Sequence, residues 1–319
     1  MAVFSVSIRS FAITGFATLI ALLGLLALPQ HTAQAAEQRP RPLFIMNADG
    51  TNLRQLVDLQ DHQCMGSPMW TRDGKKILFD AWRAKETFST SHVYLVNTDG
   101  TWPQDLGPGA MPSESPGNGQ IATHYYGNRQ GIWLGMKDGV RIDDDGGSPR
   151  WHPYESKLAY LKWGGGIVVR DVAGAVAGDE EVLVPAEFQP YVGFSWSPDG
   201  KAIAFYSNRN GGNHAEVLVM NVAEKGSEPK VKATGRIGWI VSWSPDGKQI
   251  AFDNFSEETN TQQIFVVDPT SDDPAYRLSG QNKRRHNGDP AWSPDGKQIV
   301  FTSKEPARDV KNQDKAAGE

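Results

Sequence analysis

Trp82, His124, Tyr126, Trp163, Asp253, Phe255, Arg285 and His286 are the side chains of this sequence whose types suit them to a shared site. Flat aromatic rings give a partner peptide or sugar a large contact area and lose few rotamers, which makes Trp and Tyr natural anchors of a binding face. His124, Asp253 and His286 could also exchange protons, as an enzyme acting on a carbohydrate or lactone would require. The aromatic residues favour a non-catalytic binding site for a protein or peptide. A lyase, hydrolase or lactonase is the alternative, and no residue is assigned a catalytic role.

Metal chemistry has less behind it. His62, His92, His124, His214 and His286 fall in comparable links between strands, but no His-x-x-x-His or Cys-x-x-Cys spacing accompanies them. Asp143-Asp144-Asp145-Gly146 lacks the alternating acidic residues and distant Glu of a calcium loop, and is expected to be a solvated acidic link. No metal and no other cofactor is expected. A Gly-x-Ser-x-Gly nucleophile elbow is absent, which argues against a hydrolase domain of that type. Cys64 is the only cysteine, so no disulfide forms within the chain.

The elements that must position these side chains are written in a repeat. Trp196-Ser-Pro-Asp-Gly-Lys201 recurs unchanged at Trp243 and Trp292, and degenerate copies begin at Trp70, Glu114 and Trp151. Proline presets φ, Asp tolerates the bend and Gly supplies positive φ, so each copy closes a tight turn. A short β-rich run follows, as in Ile203-Ala-Phe205 and Ile250-Ala-Phe252. A second phrase, Leu43-Phe-Ile-Met-Asn-Ala-Asp-Gly-Thr51, recurs from Val93 to Thr101 and pairs an apolar strand with an Asp-Gly hairpin. Each unit is thus four antiparallel strands, and six copies predict an all-β, six-bladed propeller. The recurring tryptophans are expected to pack blade against blade.

The phase of the repeat predicts how the ring shuts. The chain enters on a third and fourth strand and leaves on a first and second, so the two ends must complete one blade. Aligned on the repeat, the position just after the second strand reads Trp82, Tyr126, Trp163, Asn208, Phe255 and Lys304. Two residues earlier stand Asp80, His124, Leu161, Tyr206, Asp253 and Thr302. Both columns fall at the face that carries the longer links, where recognition loops belong.

The phrase from Trp243 to Phe252, together with strands such as Ile45-Met-Asn-Ala-Asp-Gly-Thr-Asn-Leu53, resembles the WD-repeat-like propeller of the TolB family over residues 43–303. The resemblance implies the propeller fold. It also implies an α/β domain ahead of the propeller, for which residues 36–42, read as a linker, are expected to leave no room.

The 33 glycines and 20 prolines suit many short strands joined by turns, and a formal charge of -5 argues against nucleic-acid binding. The local basic cluster Lys283-Arg284-Arg285 is expected to be a solvated loop. At the start of the chain, Arg9 precedes an uncharged apolar run over residues 11–28, then Pro29 and the Ala33-Gln34-Ala35 pattern of a signal-peptidase site. Residues 1–35 are therefore expected to be a signal peptide and the protein an exported, periplasmic monomer. An uncleaved membrane anchor over residues 11–28 is the alternative. Residues 304–319 are expected to be a flexible tail.

Overall fold

The computed structural model describes residues 40–173, 177–211 and 214–306, and the expected signal peptide and most of the expected tail lie outside them. The described residues form six four-stranded antiparallel sheets arranged as propeller blades. From the channel outwards, blade 1 is His62–Trp70, Lys76–Arg83, His92–Asn97 and Gln104–Pro108. Blade 2 is Ala110–Glu114, Ile121–Tyr125, Gly131–Leu134 and Val140–Asp143. Blade 3 is Gly147–Trp151, Lys157–Lys162, Gly166–Asp171 and Glu181–Val184. Blade 4 is Pro190–Trp196, Ala202–Ser207, Ala215–Asn221 and Lys230–Gly235. Blade 5 is Ile237–Trp243, Ile250–Ser256, Thr261–Val267 and Tyr276–Arg277.

Blade 6 is the composite that the repeat phase predicts. Its inner strands, His286–Trp292 and Gln298–Lys304, come from the end of the propeller, and its outer strands, Leu43–Asn47 and Arg54–Val57, from the beginning. The seam runs in register from Leu43 opposite Thr302 to Asn47 opposite Gln298.

The repeated turn is held by its own side chains. Ser197 donates to Asp199 Oδ1 at 2.6 Å, the Lys201 N–H donates to the same oxygen at 3.1 Å, and the Ala202 N–H donates to Ser197 Oγ at 2.9 Å. The same bonds recur around Asp246 and Asp295, so turn geometry is encoded locally in each blade. These turns and the third-to-fourth hairpins share one face of the ring. The second-to-third and blade-to-blade links share the other.

The core lies between blades. Leu43, Ile45 and Val57 of blade 6 pack with Trp70, Ile77 and Phe79 of blade 1, and equivalent clusters fill other interfaces. As expected, Trp70, Trp151 and Trp292 are buried among these clusters, while Trp196 and Trp243 are half-buried against them. Polar links run alongside: Trp70 Nε1 donates to the Ala291 carbonyl at 3.1 Å, and the Trp243 N–H donates to Ser195 Oγ at 3.1 Å.

The expectation of a solvated link at Asp143 is corrected. Its carboxylate is buried and its Oδ2 accepts from Tyr160 Oη at 2.8 Å, Lys162 Nζ at 2.9 Å and Arg170 NH2 at 3.1 Å. Burial opposes its ionisation, but the hydrogen bonds from Lys162, the Asp145 N–H and Tyr160 outweigh that and hold its pKa below the ordinary value. Removing one member of such a network leaves charges facing low dielectric without their partner. Asp143→Ala, which leaves Lys162 and Arg170 with Glu180 alone, is expected to cost about 3 kcal/mol in urea unfolding. A change within the range of an exposed surface pair would show that solvent screens the cluster.

Candidate functional site

The innermost strands carry bulges. Ser67, Met111, Ser148 and Asp289, each three residues before the repeat tryptophan or its counterpart Glu114, all have positive φ, and the ladder to the second strand skips there. A bulge frees a backbone N–H that must find an acceptor. Asp80, on the second strand of blade 1, supplies one for its neighbour by accepting the Met111 N–H at 2.8 Å.

On the longer-link face, the predicted residues separate into two groups. Trp82, Tyr126, His124 and Trp163 form one run of rings over blades 1 to 3. Trp82 meets Phe88 at 5.3 Å, Phe88 meets Tyr126 at 5.3 Å, Tyr126 meets His124 at 4.1 Å and His124 meets Trp163 at 6.0 Å. Phe88, which the sequence reading did not single out, joins from the short 3-10 helix Phe88–Thr90 in the link after Arg83. Trp163 remains 44% exposed at the end of the run. His124 is 1% exposed, and burial pushes its imidazole down to about 4. The ring is therefore neutral at neutral pH.

The second group surrounds a cavity of about 500 Å³ over blades 5 and 6, lined by Asp253 and His286 together with Arg41, Trp239, Gln262 and Asp289. Gln262 ties the predicted pair together: its Nε2 donates to Asp253 Oδ2 at 3.0 Å and its N–H donates to His286 Nδ1 at 3.1 Å. The neutral His286 ring therefore carries its proton on Nε2. Burial, then Lys304 and Arg41, lowers its pKa. Asp253 Oδ1 is buried with no hydrogen-bond partner, and burial followed by the nearby Asp289 charge raises the Asp253 pKa. Gly238 is required here, because a Cβ would lie 1.8 Å from Asp253 Oδ2.

Arg41 enters the cavity from outside the repeat. Its N–H donates to the Gln63 carbonyl and its carbonyl accepts from Met65, both at 3.1 Å, which delivers the guanidinium 3.0 Å from Asp289 Oδ2. Trp239, 59% exposed on the innermost strand of blade 5, completes the wall. Phe255 is not part of that wall but lies beneath Arg236, whose guanidinium sits 4.0 Å from the ring centroid.

Arg285 is not brought to either group. Its Nε and NH2 donate to Ser303 Oγ at 2.9 Å and Ser303 O at 3.0 Å, and its guanidinium covers Phe44, so it braces the closing strand. The solvated-loop expectation for the basic cluster is thereby corrected at this residue. The sequence reading missed Arg41, Trp239, Gln262 and Asp289. Asp289 was the most accessible of these, since it shares the bulge position with Ser67, Met111 and Ser148.

Three other histidines are engaged locally: His62 with Tyr94 Oη at 2.9 Å, His92 with Asp105 at 2.9 Å, and His152 on the turn face with the Gly200 carbonyl at 3.3 Å. Among the described residues no group of three or more His, Cys, Asp or Glu is arranged to hold a metal ion. Burial pushes the Cys64 thiol up to about 11, away from thiolate reactivity. No described helix is long and apolar enough to cross a membrane.

The family model described as the TolB beta propeller domain matches residues 145–319. A solved structure taken to be TolB from Agrobacterium tumefaciens superposes with a TM-score of 0.63 at 18% identity, covering 84% of this chain and 99% of that one. A structure of a nidogen/laminin complex gives 0.54 at 12% identity, over 76% and 100% of the two chains. Hydrazine synthase of Kuenenia stuttgartiensis gives 0.52 at 14% identity, over 73% and 72%. At these identities the structural likenesses speak to fold. No curated protein matches the sequence.

Proposed function

Since the chain belongs to the TolB β-propeller domain family, we propose that it is a non-catalytic binding module of the cell envelope that holds a protein or peptide against the longer-link face. The observation that carries this reading is the run of rings from Trp82 to Trp163. Exposed Tyr191 and Trp239 extend aromatic surface onto blades 4 and 5. Aromatic side chains held on or beside strand ends and packed against one another lose little entropy when a partner covers them. The apolar run over residues 11–28 and the Ala33-Gln34-Ala35 pattern support export to the periplasm. That one similar structure is of a nidogen/laminin complex fits a fold able to hold protein partners.

The test is a pull-down from envelope extract with wild-type and Trp163→Ala/Trp239→Ala baits, followed by mass spectrometry. A partner recovered by the wild type is expected to bind the double variant at least about tenfold more weakly, since anchor truncations cost about 1–2 kcal/mol each. Partners captured equally by both baits would place recognition elsewhere.

A second reading, catalysis at the channel mouth, rests on Asp253 and His286 joined through Gln262 beside a cavity. His124 drops out of it, being buried in the other group. Turnover in a carbohydrate and lactone screen that disappears in Asp253→Asn and His286→Ala would favour the enzyme over the module.

A further inference from the structure

The turn face holds a second cavity, of about 450 Å³, into which Trp70, Trp151, Trp196, Trp243 and Trp292 of five blades present their sides. Arg150, next to Trp151 on the innermost strand of blade 3, also lines it. The side chain of Arg150 donates to the Pro149 carbonyl at 2.8 Å and has no carboxylate within ion-pair distance among the described residues. Burial lowers its pKa to about 10, with Asp80 as a partial opposing influence, so the group stays charged at neutral pH. Arg72 adds a second cation to the same wall, and Glu114, whose Oε2 accepts the Arg72 N–H at 2.6 Å, the one carboxylate.

A half-buried cation with no ion-pair partner carries a desolvation cost that an anion would relieve. A planar guanidinium suits a carboxylate, and the surrounding tryptophans suit a flat apolar body. The volume is that of a small-molecule site rather than a protein interface. We propose that this funnel is a binding site for a small aromatic carboxylate, with Arg150 pairing the carboxylate and the tryptophan ring holding the apolar part. This site is on the opposite face from the one assigned to the protein partner and does not depend on that reading.

The probes are phenylacetate and its uncharged isostere phenylacetamide, titrated into the full chain by isothermal calorimetry at low salt. Phenylacetate is expected to bind with a Kd of about 1 mM or tighter, and the amide roughly tenfold more weakly. Arg150→Gln is expected to abolish the difference between the two. The variant itself should be close to wild type in stability, since it removes a half-buried cation that lacks an ion-pair partner among the described residues. Equal binding of acid and amide by the wild type, no heat from phenylacetate up to about 10 mM, or an acid preference that survives in Arg150→Gln would each overturn the proposal. The acid–amide contrast in the wild type needs no variant, so it decides the matter even if Arg150→Gln does not fold.

Discussion

A chain truncated before Pro290 is expected to lose its cooperative unfolding transition and to aggregate, whereas one truncated after Lys304 should unfold nearly as the full chain does. The first cut removes the second half of His286–Trp292 and all of Gln298–Lys304, and leaves Leu43–Asn47 with an open edge where Gln298–Lys304 had paired. It also removes Trp292, Ile299, Val300 and Phe301, all buried in the clusters on either side of that blade. At about 2 kcal/mol for each buried side chain, the loss is roughly 8 kcal/mol, comparable with the whole stability of a typical domain. The second cut removes the surface pair between Arg285 and Glu305, a contact of the kind worth about 1 kcal/mol or less. Calorimetry and light scattering on the two truncations check this. A soluble monomer with an unchanged melting curve after the first cut would mean that the ring does not depend on its seam.

Asp253→Asn is expected to stabilise the protein increasingly as pH rises from about 4 to about 8. Of the carboxylates buried beside the channel, Asp80 and Asp253 are held above the ordinary range. Burial pushes Asp80 up to about 6, against the Met111 N–H and Ser67 hydroxyl that favour its ionised form. Burial and the Asp289 charge raise Asp253 as well, opposed by Arg41 and Gln262. With a folded pKa above the unfolded 3.8, each group keeps its proton in the native state after the unfolded chain has released it. The native state therefore binds more protons, and its stability falls as pH climbs from the unfolded value through the folded one. Asparagine has no proton to release, so the gap between Asp253→Asn and wild type should be near zero at pH 4 and on the order of a few kcal/mol at pH 8. Asp80→Asn should behave likewise but level off sooner. Urea midpoints across that range test it, and a gap that does not change with pH would show that Arg41 and water compensate the charge fully.

The architecture was legible because its signals are local. In Trp196-Ser-Pro-Asp-Gly-Lys201 every hydrogen bond that closes the turn joins residues at most five apart, so the motif carries its own geometry wherever it occurs. Strand type follows from alternation, and the offset phase of the strands was enough to place Leu43–Asn47 beside Gln298–Lys304. The column of Trp82, Tyr126 and Trp163 was legible for the same reason, since equivalent positions of equivalent strands reach the same face.

The site itself was decided by contacts between residues of different strands, some of them in different blades. Asp143 and Arg285 read as solvated charges until the fold brought Arg170 to one and Ser303 to the other. His124 and Asp253 occupy the same place in their blades, yet one is packed between Tyr126 and Trp163 while the other faces a cavity. What differs is the neighbour that each meets, and the inner-strand bulges take part in setting it, because one added residue shifts every following side chain relative to the next strand. Arg41 lies outside the repeat altogether, and nothing in its local sequence marks Asp289 as its partner. Sequence determined the ring through short-range turn chemistry and period; only the closed ring decided which charges meet, since burial and pairing are properties of residues far apart along the chain.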